Sequence, residues 1–82
     1  MSKEIIAIDN GFVFLGELIE NKDGTFTINH CYNIRQYGTK NGIGEIALMG
    51  LQEKTKLDSF GTLTFPKSRM LFKIKCTHES FK

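Results

Sequence analysis

The sequence predicts a mainly β domain: a small curved β-barrel or sandwich of five to six strands with one short helical insertion. Three observations carry this. Turn residues recur at short intervals, apolar and polar residues alternate between them, and one stretch alone breaks into helical spacing. The 82 residues suffice for one small domain, residues 1–82, with no repeat or linker inside it.

The first strand is Glu4-Ile5-Ile6-Ala7-Ile8, and Asp9-Asn10-Gly11 separates it from Phe12-Val13-Phe14-Leu15. Asn-Gly supplies the two positive φ angles of a type I′ hairpin turn. Lys22-Asp23-Gly24 then leads into Thr25-Phe26-Thr27-Ile28, so the first 36 residues read as a three-stranded meander. In the second strand, Phe12, Phe14 and Leu18 share one face, and Val13, Leu15 and Ile19 share the other. Both faces need cover. A second subunit over one of them predicts a homo-oligomer; a helix or the terminal strands folded back is the alternative.

The third strand alternates. Phe26, Ile28, Tyr32 and Ile34 share the core parity, with His30 as the polar exception. If the strand runs straight, Asn33, Arg35 and Tyr37 project together from the opposite face. Ile43, Ile46, Ala47 and Leu51 have helical spacing, and Gly50 can end a helix, so 43–50 is expected to be one or two helical turns, with a short strand as the alternative. Gly61-Thr62-Leu63-Thr64-Phe65 is a strand that stops at Pro66. Met70, Phe72, Ile74 and Cys76 form the core face of the last strand, opposite a mostly basic face.

The composition excludes several classes. No apolar run is long enough to span a bilayer as a helix, and Met1-Ser2-Lys3-Glu4 does not read as a secretory leader. No membrane partner is expected. The formal net charge is +2, but it is uneven. Residues 1–34 carry two basic and five acidic side chains; residues 35–82 carry nine basic and four acidic. The basic part begins at Arg35. Cys31 and Cys76 form no CxxC motif and are expected to be buried, reduced thiols, which fits an intracellular compartment. Histidines lie near both, but adjacent strand residues face apart, so His30 and Cys31 make a poor metal pair; no metal or cofactor is expected.

No catalytic constellation is legible. There is no G-x-S-x-G elbow, HExxH or P-loop, and Glu17 and Glu20 differ in strand parity. The chain is expected not to be an enzyme. The stretch that can bind a ligand is Asn33 through Glu45. Gly38 and Gly42 allow close backbone approach, with N–H groups exposed to an anion. Arg35 offers a bidentate fork, Lys40 a charge and Thr39 a hydroxyl. Tyr37 offers a face for a nucleobase, and Asn41 or Glu45 can read a base edge. These are the parts of a nucleotide pocket. They are also the residues of an ordinary turn-rich loop.

Arg35-Gln36-Tyr37-Gly38-Thr39-Lys40-Asn41-Gly42-Ile43-Gly44-Glu45-Ile46-Ala47 resembles a motif of small bacteriophage proteins: Arg, any residue, Trp, Gly-Thr, two variable residues, Gly-Leu-Gly-Glu-Leu-Ala. The similarity extends to Gly11–Gly16 and to Leu57-Asp58-Ser59-Phe60-Gly61-Thr62, with Tyr37 replacing Trp and isoleucine at 43 and 46. That family is similar to anti-CBASS sponges, which sequester cyclic nucleotide signals of bacterial antiviral defence without cleaving them. The resemblance implies immune evasion in the cytoplasm of a host bacterial cell. It implies a homo-oligomer and a cyclic dinucleotide ligand such as 3′,3′-cGAMP. Separately, Gly11 to Arg35 resembles the first half of Sm-like RNA-binding barrels, but the second Sm-like motif is missing. A nucleic-acid-binding barrel using Lys67, Arg69, Lys73 and Lys75 is therefore the alternative, and a phage structural or interaction protein is a third possibility.

Overall fold

The computed structural model describes residues 3–81. Five strands form one antiparallel sheet: β1 (Glu4–Ile8), β2 (Val13–Glu20), β3 (Thr25–Gln36), β4 (Lys56–Pro66) and β5 (Met70–Lys75). Their order across the sheet is β4-β3-β2-β1-β5. One helix, α1 (Ile43–Met49), lies between β3 and β4. The fold is thus the curved, mainly β architecture expected, with five strands and one helical insertion. Since β4 and β5 are the two outer strands, the sheet is open and not a closed barrel.

The first three strands form the expected meander. Asn10 and Gly11 both take positive φ (65° and 80°), as an Asn-Gly turn requires, in a three-residue connection closed by Ile8 N–H donating to the Phe12 carbonyl at 3.0 Å. Pro66 stands at the end of β4, on an outer strand, where its missing N–H costs no ladder bond. β4 is longer than expected: it begins at Lys56, five residues before Gly61.

Two apolar clusters hold the fold, and in β1 and β2 they use opposite residue parities. Ile5, Leu15, Ile34, Ile46, Ala47, Cys76 and Phe81 form the first. Ile6, Phe14, Ile28, Cys31 and Phe65 form the second, joined by half-buried Met70 from β5. Residues from all five strands meet in the second cluster, which requires a strongly curved sheet. The first cluster is roofed by α1 and the segment after β5. Thr77 and His78 N–H groups both donate to the Ala47 carbonyl, at 2.9 and 3.1 Å, so the C-terminal segment caps the last turn of the helix.

This roof corrects the argument for self-association from β2. Leu15 is buried and Val13 packs against the first cluster, so the second face of β2 is covered within the chain at these positions, while Ile19 on the same face stays exposed. The 43–50 stretch is helical as expected, ending at Gly50 with φ 87° and Gly50 N–H donating to the Ile46 carbonyl. Leu51 lies beyond the helix and is exposed.

β3 departs from a straight strand. His30 has φ 50°, and one extra β3 residue is inserted relative to β2, since β3 runs from Asn29 to Tyr32 while β2 runs from Glu17 to Leu15; β4 bulges with it, so that Ile28 to Tyr32 again matches Leu63 to Ser59. This is a β-bulge, and it exchanges the two faces. Phe26 and Ile28 join the second cluster, whereas Ile34 joins the first. The single core parity expected for Phe26, Ile28, Tyr32 and Ile34 therefore ends at His30. Both cysteines are free and buried, as expected. Ile74 in β5 and Cys76 just after it belong to the first cluster, but Phe72 is about half exposed (48%), so the expected core face is incomplete. Among the described residues, no helix is long and apolar enough to cross a membrane.

Candidate functional site

The glycine-rich segment between β3 and α1 is folded onto the turn that precedes β4. Gly38 has φ 67°, and a Cβ added there would overlap the Lys54 carbonyl group. Two hydrogen bonds cross the seam and a third orders the turn behind it. Thr55 Oγ1 donates to the Tyr37 carbonyl at 2.7 Å, Gln36 Nε2 donates to the Lys54 carbonyl at 3.3 Å, and Gln52 N–H donates to Thr55 Oγ1 at 2.9 Å. The insertion thus leaves β3 and returns to β4 at one place, because those strands are neighbours.

Between the two turns lies an open-sided cavity of about 610 Å³. Gly38, Thr39, Lys40 and Glu45 line one side. Gln52, Glu53 and Lys54 line the other. Thr39 Oγ1 donates to the Gly42 carbonyl at 2.8 Å, so its proton is engaged within the loop while its lone pairs are free to accept. Glu45 Oε1 accepts from the Asn41 N–H at 3.2 Å. Among the described residues, no carboxylate lies within ion-pair distance of Lys40 or Lys54. The wall therefore combines two available ammonium groups with two carboxylates.

The nine residues expected to bind a ligand divide into two groups. Gly38, Thr39, Lys40 and Glu45 form the cavity; Asn41 and Gly42 shape it through their backbones. Tyr37 is partly exposed at the loop's start, and its carbonyl anchors the seam. Asn33 and Arg35 stand apart on β3. The Arg35 guanidinium pairs with Asp58 at 3.1 Å, and Asn33 Nδ2 donates to Asp58 at 3.4 Å. Asn33 and Arg35 thus share a face at Asp58, as expected of their parity, but they are tied to β4 and do not line the cavity. The bulge turns Asn33 toward the Phe14 side of the sheet, where the ladder pairs them.

Sequence reasoning missed Gln52, Glu53 and Lys54. The available signal was topological: an insertion between paired strands must bring its two ends together. Elsewhere, three of the four cations of the alternative nucleic-acid track are occupied. Lys67 pairs with Glu20 at 2.6 Å, Arg69 with Asp9 at 2.6 Å and Lys73 with Glu4 at 3.6 Å. No group of three or more His, Cys, Asp or Glu side chains positioned to hold a metal occurs among the described residues.

No protein-family model, curated protein or solved structure matches this chain.

Proposed function

We propose that this chain binds and sequesters a cyclic dinucleotide of the CBASS type, such as 3′,3′-cGAMP, without cleaving it, as a phage immune-evasion sponge in the host bacterial cytoplasm. The observation that carries the reading is the mixed wall of the glycine-loop cavity. Lys40 and Lys54 supply cations for phosphate, and Glu45 and Glu53 supply acceptors for the N–H groups of a base. A nucleotide presents both kinds of group, whereas inorganic phosphate presents only one. Tyr37, at the mouth of the loop, offers a stacking surface, which is worth about 1–3 kcal/mol per base in single-stranded binders.

A nucleic-acid track is supported less well, because Lys67, Arg69 and Lys73 are already in ion pairs. Self-association belongs to the same proposal. Its support is the exposed aromatic pair Phe12 and Phe60, which flanks buried Phe14. Sedimentation that gives a monomer at every concentration removes that part.

The test is calorimetric titration with 3′,3′-cGAMP, followed by chromatography of the recovered nucleotide. Saturable binding and intact nucleotide are expected. Lys40→Ala combined with Lys54→Ala is expected to weaken binding by at least about tenfold, on the scale of charge-assisted hydrogen bonds. Arg35→Ala should weaken it less than that pair. Absence of binding, unchanged affinity in the double variant, or nucleotide turnover overturns the proposal.

A further inference from the structure

A second cavity, of about 550 Å³, lies where the end of α1 and the C-terminal segment meet the sheet. It shares no lining residue with the glycine-loop cavity. Buried Leu15 and Phe81 belong to its lining, with Leu57 beside them. Exposed Met49, at the end of α1, and exposed Leu51, just past it, line it as well. Its polar side chains are those of Lys3, Tyr32, His78 and Ser80.

The polar groups are held in a defined arrangement. Ser80 N–H donates to His78 Nδ1 at 3.2 Å, and the Ser80 hydroxyl lies 2.7 Å from the same nitrogen. Nδ1 therefore acts as an acceptor, and a neutral imidazole must carry its proton on Nε2. Gly50 has φ 87°, and a Cβ there would fall 2.9 Å from His78 Nδ1 and 3.1 Å from Ser80 Oγ. The ring is seated against a bare backbone. Lys3 is fixed from below, since its carbonyl accepts the Cys76 N–H at 3.1 Å. Among the described lining residues Lys3 carries the fixed charge, and none is acidic.

We infer that this cavity binds a compact amphiphilic carboxylate, its apolar body against Leu15, Leu57 and Phe81 and its carboxylate held by the Lys3 ammonium and the His78 Nε2–H. Volume and lining match small-molecule sites, which are mostly apolar with a few convergent polar groups. Charge selects the sign. The glycine-loop cavity has two carboxylates to answer its two lysines, whereas here a lone ammonium faces apolar walls. A carboxylate is its complement, because a charge beside apolar walls is stabilised by pairing with an opposite charge. The inference is independent of the nucleotide proposal.

The test is a two-dimensional amide NMR titration of the full chain with octanoate, octanol and octylamine. Octanoate is expected to give saturable shifts at Gly50, Leu51 and His78, and to bind about tenfold more tightly than octanol. Octylamine should bind most weakly. Lys3→Gln should erase the preference for octanoate and leave octanol unchanged. Leu51→Asp, at an exposed position, should abolish octanoate binding while keeping the dispersed spectrum; it decides the question if Lys3→Gln does not fold. Equal affinity for acid and alcohol, shifts centred outside the cavity, lack of saturation, or a preference that survives both substitutions overturns the inference.

Discussion

Gly38 and Gly42 sit four residues apart in one loop, both at positive φ, yet their surroundings differ. At Gly42 an added Cβ meets open space, so Gly42→Ala carries only the backbone penalty of its φ 86°, ψ −161° conformation, about 1–3 kcal/mol. At Gly38 the same methyl also overlaps the Lys54 carbonyl group. Gly38→Ala is therefore expected to lower unfolding stability by more than Gly42→Ala, measurable in urea; equal losses would show that the seam yields. The cysteines make a second residue-scale prediction. Burial pushes both thiols up to about 11, so little reactive thiolate exists near neutrality. Cys31 and Cys76 should resist a thiol reagent at pH 8 in the folded protein and react fully in denaturant. Fast labelling of the native chain would contradict that burial.

The bulge in β3 sets the facing of everything after it. His30 occupies the left-handed region at φ 50° with its side chain exposed. A β-branched residue tolerates that region poorly, whereas glycine accepts it freely. His30→Val should cost about 1–2 kcal/mol, and His30→Gly should hold or raise stability, both read from thermal or urea unfolding. A stable His30→Val variant would mean that the bulge migrates. Elements with local causes were legible in the sequence. The Asn10-Gly11 turn, the meander and the helix over 43–49 follow from turn chemistry and periodicity within a few residues of one another. The bulge was not legible, because His30 carries no local signal for left-handed backbone, and the error passed on to the core parity of Tyr32 and Ile34. The start of β4 was missed for a related reason: Lys56–Phe60 is partly exposed and has little apolar alternation to betray a strand.

Across the whole molecule, ion pairs link turns distant in sequence. Arg69 and Lys67, in the short 3-10 turn between β4 and β5, reach Asp9 after β1 and Glu20 at the end of β2. The hydrogen bond and charge of Lys67 hold the Glu20 carboxyl below its ordinary 4.5. A depressed carboxyl contributes stability that is present above its unfolded pKa and is lost as pH falls through the folded one. Glu20→Gln should therefore flatten the decline in melting temperature between pH 6 and pH 3, and added salt should blunt the difference at neutral pH. Identical acid limbs for the two proteins would assign the decline to other carboxyls. At this scale the sequence disclosed the fold class and half of the cavity wall. Gln52–Lys54 join that wall only because β3 and β4 pair, a relation between distant residues that no local pattern encodes.

The edge pairing of β1 with β5 joins residues 4–8 to residues 70–75, and the cap on Ala47 comes from residues 77 and 78. During synthesis the meander can form early, but β1 waits with one edge bare and α1 waits with its last turn uncapped until those later residues emerge. Long-range closure of this kind slows folding and leaves an unpaired strand exposed in the meantime. The order of translation therefore makes β1, the most deeply buried strand in the finished protein, the one most open to mispairing in the nascent chain.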